Sequence, residues 1–342
     1  IMPSLVGSEM CIRDRYSPVR GLRDDFGGRE DLRNGVLRCV GDPGERFRED
    51  ALRILRALRF AARFGLTIEE KTAAALRENR ELLRNISPER IFSELKGILC
   101  ARGAGEMLLA FPEVFFVILP ELAPMRGFDT RRPQNHCWDV WGHTAHAVDA
   151  IAPESVLRLT MLFHDSGKPE TFRYDAQAGF GRFPGHPAVS ARIADAALRA
   201  LRCDNAARER VVTLVENHEM RTGHGKKDLR RLLAKIGAKN MHDLLLVRRA
   251  DAAAHAPEAA ARLTALADED ERILHEITAE RGCLHVKDLA VSGNDLLALG
   301  LKPGAAVGET LSRLLDLVLD EEAPNEKGAL LAAARKEMQT HE

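Results

Sequence analysis

Across 342 residues, 50 Lys and Arg stand against 51 Asp and Glu, a net charge of -1 that excludes a globally basic nucleic-acid-coating protein but leaves room for a local basic stripe. Aromatic residues are only 5% of the chain, which speaks against a strand-rich sandwich or barrel. No apolar run approaches the ~18 residues of a membrane span, and the length exceeds one ordinary domain of roughly 100–200 residues.

The chain opens at Ile1, and its first stretch, IMPSLVGSEMCIRDR, resembles a translated sequencing-adapter read-through. Residues 1–16 are therefore expected to be a non-native leader. Residues 17–41 carry Gly27-Gly28 and Asn34-Gly35 ahead of Val-Leu-Arg-Cys-Val, which predicts a turn or hairpin ending in a strand. From Arg46 the pattern turns helical, and over 48–64 Ala51, Ile54, Leu55, Leu58 and Ala62 share one arc. Thr67 with Glu70 predicts a capping box for a helix over 68–84, and Ser87-Pro88 predicts the start of a helix over 88–101. Four prolines between 112 and 135 (Pro112, Pro120, Pro124, Pro133) predict a linker. Helical periodicity returns at 139 and runs to 277, with glycine-rich interruptions at 179–187 and 223–225. A last helical unit starts near Ser292, with two amphipathic helices over 305–338. The expected fold class is mainly all-α with a small β remnant at the front.

Between Arg46 and Arg63 lie six arginines and two acids, Glu49 and Asp50. A solvated face would mix Lys and Glu at i,i+4 spacing rather than use arginine alone. Asp50 and Arg53, three residues apart, can point the same way. A carboxylate accepts from the exocyclic amine of C or A, and a guanidinium donates to the neighbouring ring acceptor, so such a pair favours C and A over U and G. Arg56 and Arg59 can hold phosphates.

The run GDPGERFREDALRILRALRFAARFG (41–65) resembles the nucleobase-recognition segment, EDxxR, of bacterial class II tRNA nucleotidyltransferases, the CCA-adding enzymes and their poly(A) polymerase relatives. DFGGREDL (25–32) resembles the end of that family's head domain, SPERIFSEL (87–95) its neck motif, and DLAVSGNDLLALGLKPGAAVGETL (288–311) its tail. The resemblance implies nucleotide binding by Asp50, Arg53, Arg56 and Arg59, with Glu49 bracing the arginines. It also implies transfer of CMP and AMP from CTP and ATP to the tRNA 3′ end, with Mg²⁺. The family's palm carries a Gly-Gly motif and a DxD pair for two Mg²⁺ ions. No equivalent lies ahead of Asp25, so the expectation is a chain truncated at its N-terminus, lacking the catalytic palm and inactive in transfer by itself.

All twelve histidines fall after residue 135. His143, the doublet His164-Asp165, His186, His218 and Asp251 occupy separate predicted helices, and imidazole with carboxylate suits Fe, Mn, Ni, Zn or Mg. Adjacent His-Asp inside the apolar run LRLTMLFHDSGK is costly to bury without a cation or a partner. The set resembles the HD phosphohydrolase superfamily. That resemblance implies a first metal on His143, His164, Asp165 and Asp251, a second on Asp165, His186 and His218, and Lys168 near a substrate phosphate. The remaining histidines, His146, His224 and His255 among them, are expected to be structural.

The expected organisation is a leader at 1–16, a remnant of the nucleotidyltransferase head at 17–41, and a helical neck for nucleotide and tRNA binding at 42–111. A linker follows at 112–135, then an HD-type helical domain at 136–256 and a helical tRNA-binding body and tail at 257–342. The leading reading is a CCA-adding tRNA nucleotidyltransferase with an internal HD domain. Its rivals are a metal-dependent HD phosphohydrolase acting on nucleotide or cyclic phosphate ends, and a non-catalytic tRNA-binding fragment. The six cysteines, scattered with no CxxC pair, read as reduced thiols of a cytoplasmic protein.

Overall fold

A computed structural model describes residues 14–17, 21–24, 26–130, 137–219, 225–280 and 282–340. Helices dominate, and among the described residues three two-stranded sheets accompany them. The chain divides into two compact units, one of residues 1–219 with 246–261 and the other of 220–245 with 262–342. No helix among the described residues is long and apolar enough to cross a membrane.

The first unit begins with the antiparallel pair β1 (Asp14–Ser17) and β2 (Gly21–Asp24). The Asp24 carboxylate then accepts from Gly28 N and Arg29 N and starts α1 (Gly28–Arg33). Of the turn or hairpin expected to end in a strand over 17–41, the turn at Asn34-Gly35 and the strand at Val36–Leu37 are present, but that strand does not pair as a hairpin with a preceding one. Asn34 ends a helix instead of turning between strands, and β3 (Val36–Leu37) pairs in parallel with β4 (Thr67–Ile68).

Asp42 caps α2 (Pro43–Glu49) by accepting from Glu45 N. The single helix expected from Arg46 is in fact two. Asp50 is extended (φ -150°, ψ 102°), and its Oδ1 accepts from Leu52 N at 3.1 Å to start α3 (Leu52–Phe64). An aspartate at such a break satisfies an amide that would otherwise go unpaired. Ile54, Leu55, Ala57 and Leu58 are fully buried, so the apolar arc of α3 faces the core. Gly65 (φ 64°) ends the helix in the left-handed conformation.

The expected cap at Thr67 is overturned because Thr67 is in β4. Glu69 caps α4 (Glu70–Glu78) instead, accepting from Thr72 N at 2.8 Å, and a 3-10 turn over Arg80–Asn85 completes the segment. Ser87-Pro88 opens α5 (Pro88–Leu99), which packs on α3. After α6 (Ala104–Ala110), the expected linker is largely helical: α7 (Pro112–Ile118), then a 3-10 turn over Pro120–Met125. Two of its prolines sit in first turns, where their missing N–H costs nothing. Val114, Phe115, Leu119, Leu122 and Met125 are buried, so the stretch belongs to the core.

Helices α8 (Val140–Ala150), α9 (Ser155–Phe163), α10 (Lys168–Thr171), α11 (His186–Ala200) and α12 (Asn205–Asn217) follow. The interruption expected at 179–187 contains part of a hairpin of β5 (Arg173–Asp175) and β6 (Phe180–Arg182), its turn held by Asp175 Oδ1 on Gln177 N and Ala178 N. The interruption expected at 223–225 lies mostly outside the described residues. Next come α13 (Lys226–Ala253), interrupted at Gly237 (φ 78°), and α14 (Pro257–Ala279).

In the second unit, Ser292 and Asp295 form a reciprocal capping box on α15 (Gly293–Ala298), followed by α16 (Ala305–Leu319) and α17 (Lys327–Thr340). Val291, Leu296, Leu314, Leu330 and Ala334 make one buried cluster within it.

Candidate metal centre and nucleotide-recognition helices

Five helices deliver six residues to one cluster inside the first unit. His143 comes from α8, His164 and Asp165 from the C-terminal end of α9, and His186 opens α11. His218 closes α12, and Asp251 sits near the end of α13. His143, His164, Asp165, His186 and His218 are all buried.

Asp165 stands at the centre. Its Oδ2 lies 3.3 Å from His164 Nε2 and 3.7 Å from His143 Nε2. Its Oδ1 lies 3.4 Å from His186 Nε2 and 3.7 Å from His218 Nε2. Asp251 Oδ1 approaches His143 Nε2 at 2.8 Å and His164 Nε2 at 3.5 Å. All six residues that the sequence singled out as metal ligands thus converge. Lys168 joins them, its Nζ 2.6 Å from Asp165 Oδ2.

The opposite edge of each imidazole is also committed. Nδ1 of His164 meets the Met161 carbonyl at 2.7 Å, that of His186 the Phe183 carbonyl at 3.1 Å, and that of His218 the Val215 carbonyl at 2.7 Å. His143 Nδ1 lies 3.2 Å from the Ala254 carbonyl. A carbonyl only accepts, so each Nδ1 carries the proton and each Nε2 presents its lone pair inward. Those inward nitrogens approach closely, His143 to His164 at 3.4 Å and His186 to His218 at 3.2 Å. Lone pairs facing one another call for a cation or proton between them, and this donor set fits divalent metal. Two groups, His143/His164/Asp165 and Asp165/His186/His218, have donor atoms close enough to share an ion.

The electrostatics divide the imidazoles. Burial disfavours charge on His143 and His218 and moves both downward. At His164 burial is outweighed by the carboxylates of Asp165 and Asp251, which push it up to about 10. Burial also opposes ionisation of Asp165, but His164 and Lys168 hold it well below the usual range; His143 and His164 do the same for Asp251.

His255 was expected to be one of the structural histidines. It packs against His143 with ring centroids 4.8 Å apart, and with His143 and Asp251 it forms a third metal-capable group. Its only signal was the i,i+4 spacing from Asp251. His146 faces Trp138 instead, at 4.4 Å between rings, and His224 lies outside the described residues.

The arginine helix makes a second constellation. Arg53 is buried, and its Nη1 donates to Glu49 Oε2 at 2.6 Å and to the Arg46 carbonyl at 3.1 Å. Glu49 also accepts from Arg46 Nη1 at 3.0 Å, so it sits between the two arginines. Asp50 Oδ2 lies 3.3 Å from Arg90 Nη2, and Arg59 Nε lies 2.9 Å from Glu94 Oε2. Burial raises the pKa of Glu94, with Arg59 and Arg56 opposing. Arg56 Nε is buried without a hydrogen bond. The sequence reading missed Arg90 and Glu94, one helical turn apart in SPERIFSEL, because their partners, Asp50 at the break before α3 and Arg59 within it, are distant in sequence.

Family models match two parts of the chain: residues 188–334 match tRNA nucleotidyltransferase domain 2, and residues 65–125 match the "Probable RNA and SrmB-binding site of polymerase A". The chain is 34% identical over 311 residues to a CC-adding tRNA nucleotidyltransferase of Thermus thermophilus, covering 87% of this chain and 68% of that protein. It is 31% identical over 317 residues to an A-adding tRNA nucleotidyltransferase of Deinococcus radiodurans, covering 87% and 70%. Its fold resembles the crystal structure of a Bacillus stearothermophilus CCA-adding enzyme in complex with CTP. The TM-score is 0.66 at 22% identity, over 97% of this chain and 73% of that one.

Proposed function

The chain belongs to the bacterial tRNA nucleotidyltransferase family, and from that membership we propose that it serves the addition of C and A residues from CTP and ATP to the tRNA 3′ end. The observation that carries this reading is the 34% identity with a CC-adding relative over 87% of the chain.

Residues 42–111 would then select the nucleotide. Asp50 offers an acceptor for the exocyclic amine of C or A, and Arg53, held by Glu49, offers the donor beside it. Arg56 and Arg59 supply positive charge for phosphates. Residues 257–342 would contact the body of tRNA, in a protein working in the cytoplasm. Binding of tRNA lacking its terminal CCA, together with retention of CTP and ATP over UTP and GTP, tests this. Equal retention of all four nucleotides by the wild type would refute it.

The histidine cluster favours a second activity on the same chain, in an HD-type region over 136–256. His143, His164, Asp165 and Asp251 would hold one divalent ion, and Asp165, His186 and His218 another, with Mn, Ni, Fe, Zn or Mg as candidates. A bound ion would supply Lewis acidity toward a phosphate oxygen. Asp165 spans both positions. Lys168, buried against it, would neutralise charge on the substrate phosphate. The activity class is hydrolysis of nucleotide or cyclic phosphate ends, read out as metal content and as hydrolysis in Mn²⁺, Ni²⁺ and Mg²⁺. Absence of bound metal after dialysis against each ion would remove this reading.

A further inference from the structure

His255 sits just beyond α13, four residues after Asp251. Its Nδ1 lies 2.7 Å from the Asp251 carbonyl oxygen and 3.9 Å from Asp251 Oδ1, with only 11% of its side chain exposed. The imidazole stands edge-on to that of His143, the two planes at 79°. Two further contacts on His143 come from the same turn: the Ala254 carbonyl on Nδ1 and Asp251 Oδ1 on Nε2. One turn of chain, 251–255, thus addresses both nitrogens and the ring of a single imidazole.

We propose that His255 is a positioning residue of the metal cluster, fixing Asp251 and His143 in the geometry that receives the first divalent ion. The proposal rests on the metal reading of the cluster. The Asp251 carbonyl at this helix end already accepts from Ala254 N at 3.1 Å, and the His255 ring N–H supplies a second, shorter bond that fixes its direction. That bond anchors the backbone of Asp251, whose carboxylate then has a defined position toward His143. The ring also walls one side of His143, so its removal opens a gap beside a ligand. The His186–His218 pair is oriented by different carbonyls, those of Phe183 and Val215. Loss of His255 should therefore act on one ion and spare the other.

The test is calorimetric titration of the metal-stripped chain with Mn²⁺ and with Ni²⁺, paired with elemental analysis and a thermal melt. Wild type, His255→Ala, His255→Asn and Asp165→Ala are compared. Removing an outer partner of a metal ligand costs about 10–100-fold in affinity. His255→Ala should show that loss at one of two sites, with the other unchanged. His255→Asn, whose amide N–H can still reach the Asp251 carbonyl, should recover a measurable part. Unchanged affinity at both sites in His255→Ala, or equal weakening at both with a lowered melting temperature, would overturn the proposal and leave the metal reading standing. A wild type that binds no metal, indistinguishable from Asp165→Ala, would overturn the metal reading and the proposal with it.

Discussion

Gly167 lies against the backbone of His186: a methyl group at residue 167 would stand 2.7 Å from the His186 carbonyl oxygen and 2.8 Å from Ser190 N. Gly167 N also donates to Ser190 Oγ at 2.8 Å. The turn after His164-Asp165 is thereby docked on the first turns of α11, which brings His186 Nε2 to 3.4 Å from Asp165 Oδ1.

Gly167→Ala should push these elements apart, because the obstacle is backbone and cannot rotate away. Overpacking of this kind costs about 1–3 kcal/mol. The expected result is a lower melting temperature with loss of the ion held by His186 and His218, while the ion on His143 and Asp251 is retained. Metal stoichiometry falling from two to one per chain checks it, and two ions per chain in the variant would refute it.

Asp165→Ala removes the carboxylate shared by both histidine pairs. Both ions should be lost, and metal-dependent hydrolysis with them. Equal metal content in wild type and variant would make these residues a structural relic.

Asp50 has two duties that one substitution can separate. Its Oδ1 starts α3 through Leu52 N, a duty that asparagine also performs. Asparagine, however, can present a donor where the carboxylate only accepts. Asp50→Asn should leave stability near wild type and reduce discrimination of CTP and ATP against UTP and GTP. A good base contact is worth about 1–3 kcal/mol, so the preference should fall roughly 5- to 150-fold. Unchanged preference in nucleotide-binding competition would rule out the base-reading role.

The clustering of the six candidate ligands was legible in the sequence because the chemistry announces itself: His164-Asp165 inside an apolar run has few stable uses other than a cation site. What escaped was tertiary. His255 is a lone histidine after an aspartate, Arg90 and Glu94 look like an ordinary solvated pair, and each acquires meaning only from a partner on another element. Misread helix boundaries share one cause. Asp50, Thr67 and Pro112 carry signals whose sense depends on what the backbone does next, so Asp50 broke a helix, Thr67 entered a strand, and Pro112 began a helix in place of a linker.

Leu330 of α17 is fully buried in one apolar cluster of the second unit, together with Leu314 and Leu296. Leu330→Ala should cost about 2–5 kcal/mol, the sum of lost burial and an unfilled cavity. Denaturant unfolding followed by a probe in residues 262–342 measures it, and a change below about 1 kcal/mol would show that α17 does not rely on this contact.

Asp295 offers a pH test in the same unit. Its Oδ1 pairs with Lys327 Nζ at 2.5 Å, while Oδ2 accepts from Ser292 N at 2.8 Å and Ser292 Oγ at 2.7 Å. Lys327, followed by the two Ser292 bonds, holds its pKa below the ordinary aspartate value of 3.8. A depressed folded-state pKa means that the unfolded chain binds the proton first as pH falls. The stabilisation is therefore fully present above the ordinary value and is lost as pH drops below it toward the folded-state pKa. Wild type should exceed Asp295→Ala in stability by a constant margin from pH 7 to about pH 5, and that margin should shrink through the window below about pH 4. Added salt should screen the Lys327 part and spare the Ser292 cap, so Lys327→Ala should reproduce only the salt-sensitive fraction. Thermal melts of the three proteins across pH and ionic strength decide it, and a margin that grows on acidification would contradict the assigned sign.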